Sequence, residues 1–164
     1  MQLDLRKIFT EEEKALTFDF SVDWSGLEVG SYYPFVSPVK VSGIVKGFAG
    51  EASLEMEANF AFEIPCDRCA ELTKKEYSYS FHHMLVRSLN EEDNDNYIQV
   101  ENEKLDLDEL LREDVLLELP RKFLCKSDCK GLCDCCGINL NKESCNCHKH
   151  QIDPRLEVLK QLID

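Results

Sequence analysis

No stretch of the sequence approaches the roughly 18 to 20 consecutive apolar residues of a membrane-spanning helix, and the amino terminus, MQLDLRKIFTEEEK, is charged throughout instead of carrying the apolar run of a signal peptide. A cytoplasmic protein is expected. A strongly basic face is also missing: the 164 residues include 19 Lys and Arg against 32 Asp and Glu, a formal net charge of -13. Tight electrostatic binding to naked nucleic acid is therefore not expected of the molecule as a whole. Neither an HExxH nor an HxE signature occurs, so the usual sequence evidence for a hydrolytic zinc site is lacking. Internal repeats and low-complexity tracts are absent too.

Cysteine, by contrast, is abundant. Five of the nine cysteines fall within LCDCCGINLNKESCNCHKH, residues 132–150. A chain of this length buries roughly 70% of its unfolded surface and can own a core without crosslinks. Disulfides are rare in a reducing cytosol, and an odd number of thiols cannot all pair internally, so metal binding is the leading reading. The acidity is uneven. Residues 91–120 hold two basic side chains against twelve acidic ones, whereas 66–90 and 121–164, which bear all the cysteines, each have a small basic excess.

Residues 52–64 place Leu54, Met56, Ala58, Phe60, Phe62 and Ile64 at strict period two, the pattern of a half-buried strand. Pro65 and CDRC follow, and the alternation resumes through Tyr77, Tyr79, Phe81, His83 and Leu85, which puts Cys66 and Cys69 at a hairpin tip. Leu16, Phe18, Phe20 and Val22 alternate likewise, as do Val39, Val41 and Val45, and Gly43 and Gly47 suggest bulges or bends there. NEEDNDN, residues 90–96, reads as a solvated loop. LDLDELLREDVLLELP has helical spacing, a capping-box signature in Asp106 and Glu109, a staple between Leu105 and Leu110, and a stop at Pro120. A short terminal helix is expected after Asp153 and Pro154, with Leu156, Leu159, Leu162 and Ile163 along one face.

Cys133 and Cys136 are spaced C-x2-C with Gly137 behind them, and Cys145 and Cys147 stand two apart, so both project to one side of an extended segment. Together these four suit a closed tetrahedral zinc site, which is the structural kind. Cys66 and Cys69 with Cys125 and Cys129 could close a second site, leaving Cys135 spare. In the alternative, Cys125 and Cys129 mix into a single tail site and the CDRC turn is merely structural. Spacing alone leaves both partitions open. Thiol redox chemistry is disfavoured because neither C-x2-C runs from a strand into a helix. His82 and His83 fall on opposite strand faces as ordinary sheet residues, whereas His148 and His150 could substitute for a cysteine ligand.

The CDRC tip, the helix and the tail pattern C-x3-C-x-GLC-x2-CG-x2-LN with C-x-C and DPR resemble the bacterial YceD family of large ribosomal RNA subunit accumulation proteins, long filed as a domain of unknown function. The likeness runs from about residue 50 onward and falls on Cys66, Arg68, Cys69, Leu119, Pro120, Gly131, Leu132, Cys133, Cys136, Gly137, Leu140, Asn141, Cys145, Cys147, Asp153, Pro154 and Arg155. Cys135 departs from it. Some members lack the cysteine-rich tail while keeping the C-x-R-C turn. The resemblance implies a cytoplasmic role in the synthesis, processing or stability of 23S rRNA with no defined enzymatic activity.

The expected architecture is α+β: an antiparallel, open or barrel-like sheet with a closing helix over residues 1–120, then a zinc-binding module with a terminal helix over 121–164. The expected function is non-enzymatic support of ribosome biogenesis with one or two structural Zn2+. Its partners would be a pre-50S particle, through 23S rRNA, a basic ribosomal protein or both, with no membrane and no small-molecule substrate. Arg68, Lys74, Lys75, Arg121, Lys122, Lys126 and Lys130 are the candidate contacts, set against ordinary solvated surface charge. A zinc-stabilised protein adaptor without RNA contact is the competing function, and a thiol redox enzyme the third.

Overall fold

Alternation of apolar and polar residues sets most of the architecture. The computed structural model describes residues 1–10, 14–88 and 97–147. In chain order the elements are β1 (Gln2–Asp4), α1 (Arg6–Thr10), β2 (Ala15–Val22), β3 (Val39–Phe48), β4 (Glu51–Pro65), β5 (Leu72–Val86), β6 (Tyr97–Gln99), a 3-10 turn (Glu101–Glu103), β7 (Lys104–Asp106) and α2 (Leu107–Glu118). The fold is α+β. Two compact units divide it, one comprising Met1–Ile64 with Leu72–Phe123 and the other Pro65–Glu71 with Leu124–Asp164.

In the first unit five strands form a sheet in the order β2-β3-β4-β5-β6. β2, β3 and β4 pair antiparallel. Only residues 66–71 join β4 to β5, a connection too short for a parallel crossover. The sheet decides one open expectation and corrects another. It does not close into a barrel, because β6 offers three residues of ladder and, among the described residues, no full-length strand returns to β2. It is mixed, because β6 runs parallel to β5, with Met84 opposite Tyr97 and Val86 opposite Gln99. A second, two-stranded sheet pairs β1 with β7.

One sheet face is the core. Val39, Val41, Val45, Leu54, Met56, Ala58, Phe60 and Phe62 are all buried, and Phe35 packs its ring against Trp24, Phe60 and Phe62 at centroid distances of 5.1 to 5.2 Å. Gly43 and Gly47 are not bulges, since the β3 register runs unbroken through both. They make room instead. A Cβ on Gly43 would lie 2.4 Å from the Phe18 ring and 2.5 Å from the Glu55 carbonyl, and one on Gly47 would lie 2.3 Å from the Ile8 carbonyl of α1.

Helix α2 buries Leu107, Leu111 and Val115, one face at four-residue spacing. Its cap is Asp106, whose carboxylate accepts from the Asp108 N–H and not through the expected reciprocal box with Glu109. His83, half-buried on β5, bonds Asp114 at 2.7 Å and so ties α2 to the sheet. Phe123 stacks on Phe62 at 5.1 Å, which anchors the last residue of the unit beside the end of β4. No helix among the described residues is long and apolar enough to cross a membrane. The loop expected at 90–96 and the terminal helix expected after Pro154 lie outside the described residues.

The glycine geometry makes a direct prediction. Gly47→Ala should destabilise the first unit by about 1 to 3 kcal/mol, because backbone atoms of α1 must move. Gly26→Ala, with nothing within 4 Å of its Cβ position, should leave the melting temperature nearly unchanged. Thermal unfolding of the two variants provides the comparison.

Candidate metal centre

The second unit is built on two turns with the same hydrogen bonding. In the first, Cys66–Cys69 are followed by Ala70 at φ 57, the Ala70 N–H donates to the Cys66 carbonyl at 2.8 Å, and the Cys66 N–H donates to the Glu71 carbonyl at 2.9 Å. In the second, Cys133–Cys136 are followed by Gly137 at φ 74, the Gly137 N–H donates to the Cys133 carbonyl at 2.8 Å, and the Cys133 N–H donates to the Ile138 carbonyl at 2.8 Å. Both are knuckles that present two sulfurs to one point. The left-handed residue that each requires is glycine in one and alanine in the other.

Each knuckle is completed from elsewhere in the unit. Cys125 and Cys129 join Cys66 and Cys69, while Cys145 and Cys147 join Cys133 and Cys136, and within each quartet the sulfurs lie within 4.8 Å of one another. The separations are 3.8 Å for Cys66 to Cys129, 3.7 Å for Cys69 to Cys125 and 3.4 Å for Cys133 to Cys145. All nine thiols are free. A tetrahedral cation with bonds to sulfur of about 2.3 Å implies sulfur to sulfur edges of about 3.8 Å, so both quartets could hold such an ion. Of the two partitions the spacing left open, the sulfurs cluster in the two-quartet arrangement. Cys135 is exposed and in neither quartet.

The quartets differ in exposure. Cys66, Cys69 and Cys129 are 2 to 4% exposed, with Leu124 and Cys125 packed on them. The tail quartet is more open, and Cys133, Cys145 and Cys147 line a groove of about 730 Å³ together with Lys130, Leu140 and Lys142.

The local electrostatics favour thiolate at one member of each knuckle. Burial opposes ionisation of Cys66, but N–H groups of Cys125, Arg68 and Cys69 outweigh it and bring the thiol to about 6. The N–H groups of Cys136 and Cys135 bring Cys133 to about 6 as well. Burial and the neighbouring thiols push Cys125 up to about 12, and the Cys136 thiol with burial does the same to Cys147. Four crowded sulfurs thus resist shared negative charge. A divalent cation at the centre reverses that opposition and favours the deprotonated ligand.

A hairpin connects the two quartets. Leu132 bridges Asn139, the Leu140 N–H donates to the Gly131 carbonyl at 2.9 Å, and the Leu132 N–H donates to the Arg68 carbonyl at 3.0 Å. Arg68 also donates from its guanidinium to the Cys129 carbonyl at 2.8 Å, so this candidate contact residue has a structural task. Lys142 pairs with Glu71 at 2.9 Å. Lys126 lies 3.9 Å from Asp128. Lys74, Lys75, Arg121 and Lys122 are exposed in the first unit, and Lys126 and Lys130 in the second.

Sequence reading assigned no role to the Asn141 side chain. Its Oδ1 accepts from the Lys130 N–H at 2.9 Å, and its Nδ2 donates to the Cys129 sulfur at 3.2 Å. The available signal was Asn-Leu-Asn, a local turn in which the Asn139 side chain accepts from the Asn141 N–H. His83 serves the sheet, His82 is exposed, and His148 and His150 lie outside the described residues.

A family model described as large ribosomal RNA subunit accumulation protein YceD matches residues 54–163, which span both quartets. The chain belongs to the YceD family. Similarity to the uncharacterized protein YlbN of Bacillus subtilis is 27% identity over 99% of this chain and 96% of that one. The YCED homolog 1 of Arabidopsis thaliana, named as a chloroplastic large ribosomal RNA subunit accumulation protein, is 26% identical over 74% of this chain and 47% of its own. The uncharacterized protein Rv2926c of Mycobacterium tuberculosis is 40% identical over 40% of this chain and 31% of its own. No solved structure matches significantly.

The paired knuckles predict opposite effects of complementary exchanges. Ala70→Gly should stabilise the unit by up to about 1 kcal/mol, because alanine pays a steric penalty in the left-handed region that glycine does not, and Gly137→Ala should destabilise it by about as much. Chemical denaturation followed by a probe within the second unit measures both.

Proposed function

We propose that this YceD-family protein is a non-enzymatic ribosome biogenesis factor that supports the synthesis, processing or stability of 23S rRNA in the cytoplasm. The family match over both quartets carries the reading, and the ribosomal RNA named for the plant relative supports its direction. Each quartet offers four sulfur ligands and therefore no open position for substrate or water, which is the pattern of structural zinc. Bound there, zinc would crosslink segments distant in sequence and supply folding free energy to a small unit. Cys66, Cys69, Cys125 and Cys129 would hold one ion, and Cys133, Cys136, Cys145 and Cys147 the other.

The charge of -13 favours a contact that is partly protein. Affinity for a pre-50S particle would then exceed affinity for naked rRNA, with residues 91–120 directed away from phosphate or toward a basic ribosomal protein. Lys74, Lys75, Arg121 and Lys122 in the first unit, and Arg68, Lys126 and Lys130 in the second, are the cations offered to the particle.

Two outcomes are expected. Protein purified without chelator should carry about two zinc ions and expose about one thiol, Cys135, to a thiol reagent, against all nine after denaturation. One zinc with five reactive thiols would leave only a single occupied quartet. In cells, depletion should lower mature 23S relative to 16S rRNA, and Lys74→Glu with Lys75→Glu should reproduce the defect without unfolding. Arg68 is unsuitable for that test because it holds the Cys129 carbonyl. An unchanged rRNA ratio would refute the ribosomal role, and tight, salt-sensitive binding to naked rRNA would refute the protein-mediated contact.

A further inference from the structure

We infer that Asn141 is a positioning residue that couples the two metal quartets, so that an ion in the tail quartet tightens binding at the buried one. The inference rests on the metal reading above. Cys129 is the buried ligand at the open end of the 129–141 hairpin, and Cys133 and Cys136 occupy its turn. Asn141 closes the open end from the returning arm, accepting from the Lys130 N–H and donating to the Cys129 sulfur.

The chain reaches the tail ligands soon after this contact. Cys145 and Cys147 stand four and six positions beyond Asn141, and Cys145 lies 3.4 Å from Cys133. An ion on the tail quartet therefore fixes both ends of the segment that carries Asn141. The amide is then held in place before the buried quartet fills, and a sulfur that accepts such a bond is a better stabilised thiolate ligand. Hydrogen bonds from partners behind the ligands typically change metal affinity by about tenfold to 100-fold. Because coupling free energies are reciprocal, the buried ion must strengthen the tail site by the same factor.

The test uses the full chain and Co2+, whose thiolate absorption is followed by stoichiometric titration in the unaltered protein and reports the remaining quartet when the other has lost ligands, in competition with a chromophoric chelator at fixed pH. Cys145→Ser with Cys147→Ser should weaken Co2+ binding at the buried quartet by about tenfold or more. Asn141→Ala should weaken it by a similar factor, and adding the serine changes to Asn141→Ala should produce little further loss. Asn141→Asp keeps the acceptor for Lys130 but not the donor to sulfur, so it should behave like alanine. Cys66→Ser with Cys69→Ser should weaken the tail quartet by the same factor, a readout that survives if the tail variant misfolds. Equal buried-site affinity with and without the tail ligands, or independent, multiplying losses from Asn141→Ala and the tail changes, would overturn the coupling while leaving two metal sites. Absence of thiolate absorption at either quartet in the unaltered protein would overturn the metal reading as well.

Discussion

Cys129 is the point on which the second unit depends. Its sulfur lies 3.8 Å from Cys66, its carbonyl accepts from Arg68, and its sulfur accepts from Asn141. The 66–69 knuckle and both arms of the 129–141 hairpin therefore meet at one residue that is 3% exposed. The unit has few buried apolar side chains, its described cluster being Cys66, Cys69 and Cys129 with Leu124 and Cys125 packed on it. Such a core is too small to hold three segments by burial alone, and a crosslinking ion is the ordinary remedy at this scale. The first unit needs no such help, since its sheet and α2 bury a continuous set of aliphatic and aromatic side chains.

The long strands were legible because alternation over many residues leaves one geometric solution. Leu54, Met56, Ala58, Phe60, Phe62 and Ile64 are all buried along β4. β1, β6 and β7, at three residues each, carry too little pattern to be seen, and α1 spans only Arg6–Thr10. That is why a parallel edge strand and a second sheet were not expected. Gly43 and Gly47 were visible as interruptions, but their cause lies in Phe18 and Ile8, which only the folded chain brings to them. The grouping of thiols depends on tertiary contact in the same way. Spacing marked the two knuckles, yet Ala70 in place of glycine concealed that CDRCA and CDCCG form one geometry twice. For Asn141 only the local turn with Asn139 was legible, because Lys130 and Cys129 lie on the opposite arm of the hairpin.

A small cysteine-rich unit and a larger sheet unit make up this chain of the YceD family. Saturated cysteine quartets suit scaffolding, since they leave no coordination position for chemistry. The strongly acidic composition then directs attention to particles in which rRNA is accompanied by basic protein. In this account the cysteines maintain a shape, and cations outside the quartets make the contact.

The central claim is that two separate, all-sulfur, four-coordinate zinc ions hold the second unit together. X-ray absorption at the zinc edge of the purified full chain addresses it most directly. The account predicts a single shell of four sulfurs at about 2.3 Å with no nitrogen or oxygen neighbour and no short metal to metal distance. A mixed shell containing nitrogen or oxygen, or a metal neighbour from ions sharing thiolates, would contradict it.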